Sequence, residues 1–153
     1  MEAVKTSYPR LADESHHLAQ ALSALGGSIS NVEASLRRIG LHVSAWHKIA
    51  GGLNDYSAWS RDIGYTRIGS LWHIALREWS QDMGQPEDQT IWKFNEAPPW
   101  MCLEAAGKIP ELLEELIART QDIRVKITAK TAEVEALAAV LEELAKEAST
   151  TRT

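Results

Sequence analysis

The histidines carry most of the metal-binding and proton-transfer capacity of this sequence, and their spacing argues against a metal site. His16 and His17 are adjacent, so on a helix they cannot face one ion together. His42 and His47 would point to opposite faces of a strand, because their separation is odd. His42 and His73 could meet across two strands, but zinc requires at least one more protein ligand. We therefore expect no metal and no other cofactor.

The signatures of nucleophilic catalysis and phosphate binding are also missing. Cys102 is the only cysteine, and no histidine lies at a diagnostic spacing from it, so we expect an inert buried thiol. Neither Gly26-Gly27 nor Gly51-Gly52 belongs to a GxxxxGK or GxGxxG pattern. No serine lies in a GxSxG elbow, and no pair of carboxylates stands out as a general acid and base. The sequence therefore predicts a protein that is not an enzyme.

Tryptophan is concentrated in the middle of the chain, at Trp46, Trp59, Trp72, Trp79, Trp92 and Trp100. Aromatic side chains fill small cores, and they also dominate the hot spots of protein interfaces. Trp46, Trp72 and Trp100 lie within periodic segments, so we expect these three in the core.

Two other tryptophans differ in their surroundings. Trp59 lies in a polar stretch that we expect to be a loop, and Trp79 continues the face of His73 and Arg77, opposite the expected core face. We therefore predict that Trp59, Trp79, Arg77 and His73 bind a partner.

Residues 8–39 predict a long amphipathic helix. The heptad a positions are Leu11, Leu18, Leu25, Val32 and Ile39, and the d positions are Tyr8, Ser15, Leu22, Ile29 and Leu36. All but Ser15 are apolar, which indicates a helix with one buried seam. Each glycine of Gly26-Gly27 costs about 1 kcal/mol relative to alanine. Because the register crosses the glycines without a phase shift, we expect a continuous or gently bent helix.

Residues 97–147 predict further helices, followed by a disordered tail at 148–153. A second register has d positions Ile109, Leu116, Ile123, Lys130, Leu137 and Leu144, and a positions Leu113, Thr120, Ile127, Val134 and Leu141. Pro110 suits the first turn of this helix and could kink it away from a shorter helix upstream. Thr120 and Lys130 are polar, and a polar seam residue can fix register or oligomeric state. Alternatively, the lysine stem simply extends past the partner.

The sequence predicts a β-hairpin between the helices. Apolar residues alternate at Ile63 and Tyr65 and again at Trp72, Ile74 and Leu76, a period of two that is typical of strands with one buried face. The intervening residues 68–70 include a glycine and suit a hairpin connection.

Residues 41–94 as a whole predict an antiparallel meander of three to four strands. We expect a strand from about Leu41 to Ile49, followed by a loop that contains Gly51-Gly52. Residues 81–89 read as an exposed loop, and residues 91–94 could add a short fourth strand. The predicted fold is therefore a single α+β domain, residues 1–153, in which two long heptad-patterned helices bracket the meander.

Charge and composition exclude several classes of partner. The net charge is −5, and the basic residues are interleaved with acids, whereas a nucleic-acid binder would concentrate them. No apolar stretch approaches the roughly 18 to 20 residues that span a bilayer. A single cysteine is typical of a reducing compartment, so we expect a cytoplasmic protein that binds neither nucleic acid nor membrane.

The leading hypothesis is a non-enzymatic protein-protein interaction module, such as an adaptor, an assembly subunit or a small protein inhibitor. Its helices would lie side by side as an antiparallel pair, and two chains could join as a four-helix bundle, so we expect a homo-oligomer. The sheet end and its loops would face the partner, whose identity the sequence does not give.

Two alternatives stay open. One is a small-molecule sensor with a pocket lined by Trp46, Trp72, Trp92 and Tyr65. The other is an unrecognised enzyme. Such an enzyme would bring His73 and Arg77 together in one cleft with an acid, Glu78 or Glu96. Arg77 and Glu78 would point to opposite faces of a strand, which counts against the enzyme.

Overall fold

A computed structural model describes residues 1–151 and shows an α+β fold with helices at both ends of a four-stranded antiparallel sheet. The elements in chain order are α1 (Glu2–Arg38), β1 (Ala45–Leu53), β2 (Ser57–Ile68), β3 (Leu71–Asp82), β4 (Asp88–Lys93), a single 3-10 turn (Phe94–Glu96), α2 (Pro99–Ala106) and α3 (Ile109–Thr151). The predicted α+β class, the antiparallel meander and the helices at both ends are confirmed. The chain divides into two compact units, Met1–Glu115 and Leu116–Thr153.

The sheet is a simple meander in the order β1-β2-β3-β4. The hairpin of β2 and β3 is confirmed, and it turns at Gly69, which adopts a positive φ of 66°. The fourth strand is also confirmed, but it begins at Asp88 and so takes in the end of the expected loop.

The first strand lies further along the chain than predicted. It starts at Ala45 instead of Leu41 and runs through Gly51-Gly52, which the sequence analysis placed in a loop. The register shifts between Lys48 and Ala50, which marks a β-bulge. The two glycines lie beneath the side chains of Lys48 and Trp59, where a Cβ atom would collide with them. Here glycine therefore permits close approach inside a strand.

One face of the sheet carries the core. Ile63, Tyr65, Ile74 and Leu76 alternate along β2 and β3, and all four are fully buried. This is the face predicted from the period of two. The helices and the 3-10 turn contribute further buried apolar side chains, namely Ile29, Leu36, Phe94, Met101, Ala105 and Leu112.

Helix α1 is continuous through Gly26-Gly27, as predicted. The Asn95 side-chain amide donates to the Gly26 carbonyl and to Ser30 Oγ, each at 3.3 Å. A Cβ atom on Gly26 would lie only 3.0 Å from Asn95 Oδ1. The glycine therefore lets Asn95 of the 3-10 turn dock closely on the helix.

The C-terminal helices begin near the predicted positions. A short break at Gly107 and Lys108 separates α2 from α3, with Pro110 in the first turn of α3. Helix α3 continues to Thr151 and so includes residues 148–151 of the expected disordered tail, while residues 152–153 lie outside the described part. Within residues 1–151, no helix combines the length and apolar character needed to cross a membrane.

Candidate interaction surfaces

The sheet face opposite the core is covered largely by its own side chains. Arg77 lies 4.1 Å above the centre of the Trp46 ring and donates from Nε to Asp62 Oδ2 at 3.0 Å. The Trp46 ring in turn lies directly on Gly64, which has no side chain to keep it away. Asp62 is only 6% exposed, so its charge needs this ion pair. Arg77, a predicted partner-binding residue, therefore has a structural role.

His73, on the same face as Arg77, lies in a charged cluster between α1 and β3. Its Nδ1 atom lies 2.9 Å from Glu33 Oε2 and 3.2 Å from Arg37 Nη2. Arg37 also donates to the same Glu33 oxygen at 2.9 Å and to the Trp72 carbonyl at 2.8 Å. Glu33 is 5% exposed. This cluster fixes α1 against the sheet. That structural role explains why charged and polar residues occupy these positions.

The four predicted partner-binding residues do not form one site. Trp79 pairs with Ser60 and shares the face of Arg77 and His73, as predicted. Trp59 belongs to β2, not to a loop, and the register places it on the other face. The expected loop position of Trp59 is therefore wrong, and the binding of a partner by the four residues stays a prediction.

Trp59 instead takes part in a stack at the edge of the core face. The Arg61 guanidinium lies 4.7 Å from the Trp59 ring centre and 5.2 Å from that of Trp100. Arg61 also donates hydrogen bonds from Nε and Nη2 to the two Glu104 carboxylate oxygens, at 2.8 and 3.1 Å. Trp100 is 52% exposed, so its predicted place in the core is wrong.

The predicted ligand pocket is not formed by the residues named for it. Trp46 lies on the opposite face from Tyr65. Trp72 stacks on Tyr65 with ring centres 5.4 Å apart, and Tyr65 is fully buried. Burial raises the pKa of the Tyr65 hydroxyl. These rings pack against each other instead of lining a cavity.

The candidate catalytic groups are likewise dispersed. A cleft of about 320 Å³ is lined by His73 and Glu96 but not by Arg77, and Glu78 points to the opposite sheet face from Arg77. Cys102 is buried and donates to the Phe94 carbonyl at 3.3 Å. Burial raises the pKa of this thiol, which disfavours the nucleophilic thiolate. Across residues 1–151, no group of three potential metal ligands comes together.

A surface that the sequence analysis missed lies at one end of the sheet, where the β1–β2 and β3–β4 connections meet. Three apolar side chains there are largely exposed: Leu53 at 85%, Tyr56 at 73% and Met83 at 75%. We call these three residues the loop end. The Met83 amide donates to the Tyr56 carbonyl at 2.7 Å, which joins the two connections.

The connections of the loop end contain side-chain hydrogen bonds and several acidic residues. Asn54 Oδ1 accepts hydrogen bonds from the amides of Tyr56 and Ser57, each at 2.8 Å, and so fixes the β1–β2 turn. Four exposed acids surround it, and none is in an ion pair within the described residues: Asp55, Asp82, Glu87 and Asp88. One feature of the sequence indicates this surface. Large apolar residues stand in or beside turns, where burial in the core does not explain them.

The distal part of each long helix exposes apolar residues of the predicted seams. In α1 these are Tyr8 (71%), Leu11 (67%) and Leu18 (54%). In α3 they are Ile127 (60%), Val134 (61%), Leu137 (57%), Leu141 (56%) and Leu144 (54%), which we call the free α3 seam. Their regular spacing places each set along one side of its helix.

No protein-family model, curated protein or solved structure matches this chain.

Proposed function

We propose that this chain is a non-enzymatic protein-interaction module that self-associates through its helices and presents the loop end of its sheet to a protein partner. The observation that carries the proposal is the exposed apolar seam on the distal part of each long helix. No catalytic constellation supports a competing activity among the described residues.

The exposed seams are costly in an isolated chain. Burying one large apolar side chain stabilises by about 1.5–3 kcal/mol, so five such residues on α3 represent a substantial driving force for association. Isolated helices are also only marginally stable in water, because most helical stability comes from packing of an apolar face. Association would therefore stabilise the helix itself as well as cover its seam.

Sedimentation velocity over a protein concentration series tests self-association. We expect a dimer or larger species, and we expect the Val134→Glu/Leu141→Glu variant to weaken association by about a hundredfold or more, because charges enter the seam. Ala132→Glu/Ala139→Glu is the matched control, since both alanines lie at the position opposite the seam and receive the same charge. A wild-type chain that stays monomeric throughout would contradict the proposal.

The loop end supports the second part of the proposal. Exposed tyrosine and methionine are typical of interface centres, and a turn fixed by Asn54 loses little conformational entropy on binding. The bordering acids favour a partner with a basic rim around an apolar pocket.

Affinity capture from native lysate compares wild type with a Tyr56→Ala/Met83→Ala variant. We expect a stoichiometric partner that this variant loses. Leu71→Ala is the control, because Leu71 is 52% exposed at the opposite end of the sheet, beside the β2–β3 turn. Equal retention by all three forms would remove the loop end as the binding surface.

A further inference from the structure

We infer that the free α3 seam packs antiparallel against the same seam of a second copy, with the two-fold axis passing between Val134 and Leu137. This inference rests on the proposed function and specifies which helix pairs, in which direction and in which register.

Exposure defines the part of α3 that a partner can reach. Leu112 and Leu116 are buried, and Ile123 is half-buried. From Ile127 onward, every described residue of α3 is exposed. A free stretch over residues 123–148 is about 40 Å long at 1.5 Å per residue, which is ample for a two-helix seam.

Lys130 argues against a parallel arrangement. It occupies a d position of the register and is well exposed, with a 3.0 Å ion pair to Glu133 of its own helix. In a parallel, in-register pair the two copies of Lys130 would face each other inside the seam, where like charges repel. In the antiparallel pair Lys130 lies beside Leu141 of the second copy. The two lysines are then about 16 Å apart along the axis.

The charges beside the seam favour one antiparallel register. The residues just before each a position are Lys126, Glu133, Val140 and Glu147. In an antiparallel coiled coil, the residues just before the a positions of one helix lie next to the corresponding residues of the other helix. With the axis between Val134 and Leu137, Lys126 lies beside Glu147 of the second copy, and by symmetry this attraction occurs at both ends. Glu133 then lies beside the uncharged Val140.

Neighbouring registers are less favourable. If the pairing of the two helices moves by one heptad toward their amino ends, Arg119 still attracts Glu147 of the second copy. In that register, however, Glu133 faces Glu133 of the second copy. A shift of one heptad the other way sets Glu133 against Glu147 at both ends. A shift of two heptads toward the amino end requires Leu116, which is only 3% exposed in its own chain.

The chosen register also matches the apolar residues. It pairs Val134 with Leu137 at the centre and Ile127 with Leu144 toward the ends, all of which are more than half exposed in the single chain. The Lys126–Asp122 ion pair within α3 is exposed, so re-pairing of Lys126 with Glu147 of the second copy costs little.

Disulfide trapping of the full-length chain tests direction and register together. Ile127→Cys and Leu144→Cys variants are oxidised separately and after mixing, with wild type, whose only thiol is the buried Cys102, as the blank. We expect cross-linked dimer mainly in the mixture, because in the inferred pair each residue lies about 25 Å along the axis from its own copy. A mixture of Ala132→Cys and Ala139→Cys is the matched control away from the seam.

Each of the other possible results of the trapping experiment would overturn the inference for a different reason. Cross-linking of each single variant with itself would show a parallel pair. Trapping of Ile127→Cys with Leu137→Cys in preference to Leu144→Cys would show a different register. Dimers that sediment normally but trap none of these pairs would show that another surface associates, and the proposed function would survive. Monomers alone would overturn both.

A charge exchange gives a second readout that does not depend on cysteine chemistry. Lys126→Glu should raise the dimer dissociation constant about fivefold to tenfold, because two attractions become repulsions. Adding Glu147→Lys should restore it, whereas Lys146→Glu, outside the seam, should change it little. If the double variant does not regain the wild-type dissociation constant, the inferred pairing of Lys126 with Glu147 is contradicted.

Discussion

The inner part of α1 and the distal part of α3 carry the same kind of residue at the same heptad position, yet their burial differs sharply. Ile29 and Leu36 are 2% and 9% exposed, whereas Leu137 and Leu144 are 57% and 54% exposed. All four occupy d positions of their registers. The same heptad position is therefore buried in one helix and exposed in the other, so the heptad pattern alone does not determine burial.

The contrast between buried core residues and the free α3 seam should appear first in the free energy of unfolding that is lost when each is replaced by alanine. Leu76→Ala should lower the free energy of unfolding by about 2–5 kcal/mol, because it leaves a cavity at a fully buried site. Leu137→Ala should cost no more than about 0.5 kcal/mol in dilute protein, where the chain is monomeric. Urea unfolding at low concentration measures both, and equal losses would break the comparison.

Two glycine-to-alanine substitutions should change the free energy of unfolding in opposite directions, depending on whether the site is packed or open. A Cβ atom at Gly64 would collide with the Trp46 ring and with the Ala45 carbonyl, so Gly64→Ala should destabilise by about 1–3 kcal/mol. At Gly27 there is open space on a continuous helix, so Gly27→Ala should stabilise by up to about 1 kcal/mol. Thermal unfolding distinguishes them. A loss of stability at Gly27 would argue against the continuous helix.

The smallest expected effect concerns alkaline pH. Burial raises the pKa of the Cys102 thiol and of the Tyr65 hydroxyl in the folded state. The unfolded chain therefore loses these protons first. The resulting stability is complete below the ordinary thiol pKa of 9.0 and is lost as the pH rises through the folded-state values. Urea midpoints should fall between neutral pH and about pH 10, and less steeply for Cys102→Ala. An unchanged slope in that variant would contradict the assignment.

The sequence predicts the elements with strong periodicity and misses features that depend on tertiary contacts. Alternation at Ile74 and Leu76 identified the core face correctly. The first strand was misplaced because Gly51-Gly52 signals a loop, whereas here the glycines make room for the Trp59 and Lys48 side chains. Trp59 was assigned to a loop, although its alternation with Ile63 and Tyr65 extends the strand pattern backward.

The candidate surfaces were predictable only in part. Three of the four predicted residues share a face, but Arg77 makes an internal ion pair with Asp62 and His73 contacts Glu33, and a single sequence reveals neither contact. The loop end depends on two connections meeting through the Met83–Tyr56 hydrogen bond, a contact between distant residues. The residues of the free α3 seam lie at positions of the predicted register, but their exposure is seen only in the structure.

The most direct test of the account is hydrogen exchange, measured by mass spectrometry at two protein concentrations well above and below the dissociation constant. If a second copy covers the free α3 seam, amides in residues 123–148 should exchange more slowly at the higher concentration, while those of β2 and β3 stay unchanged. Rapid exchange of residues 123–148 that does not depend on concentration would contradict the account.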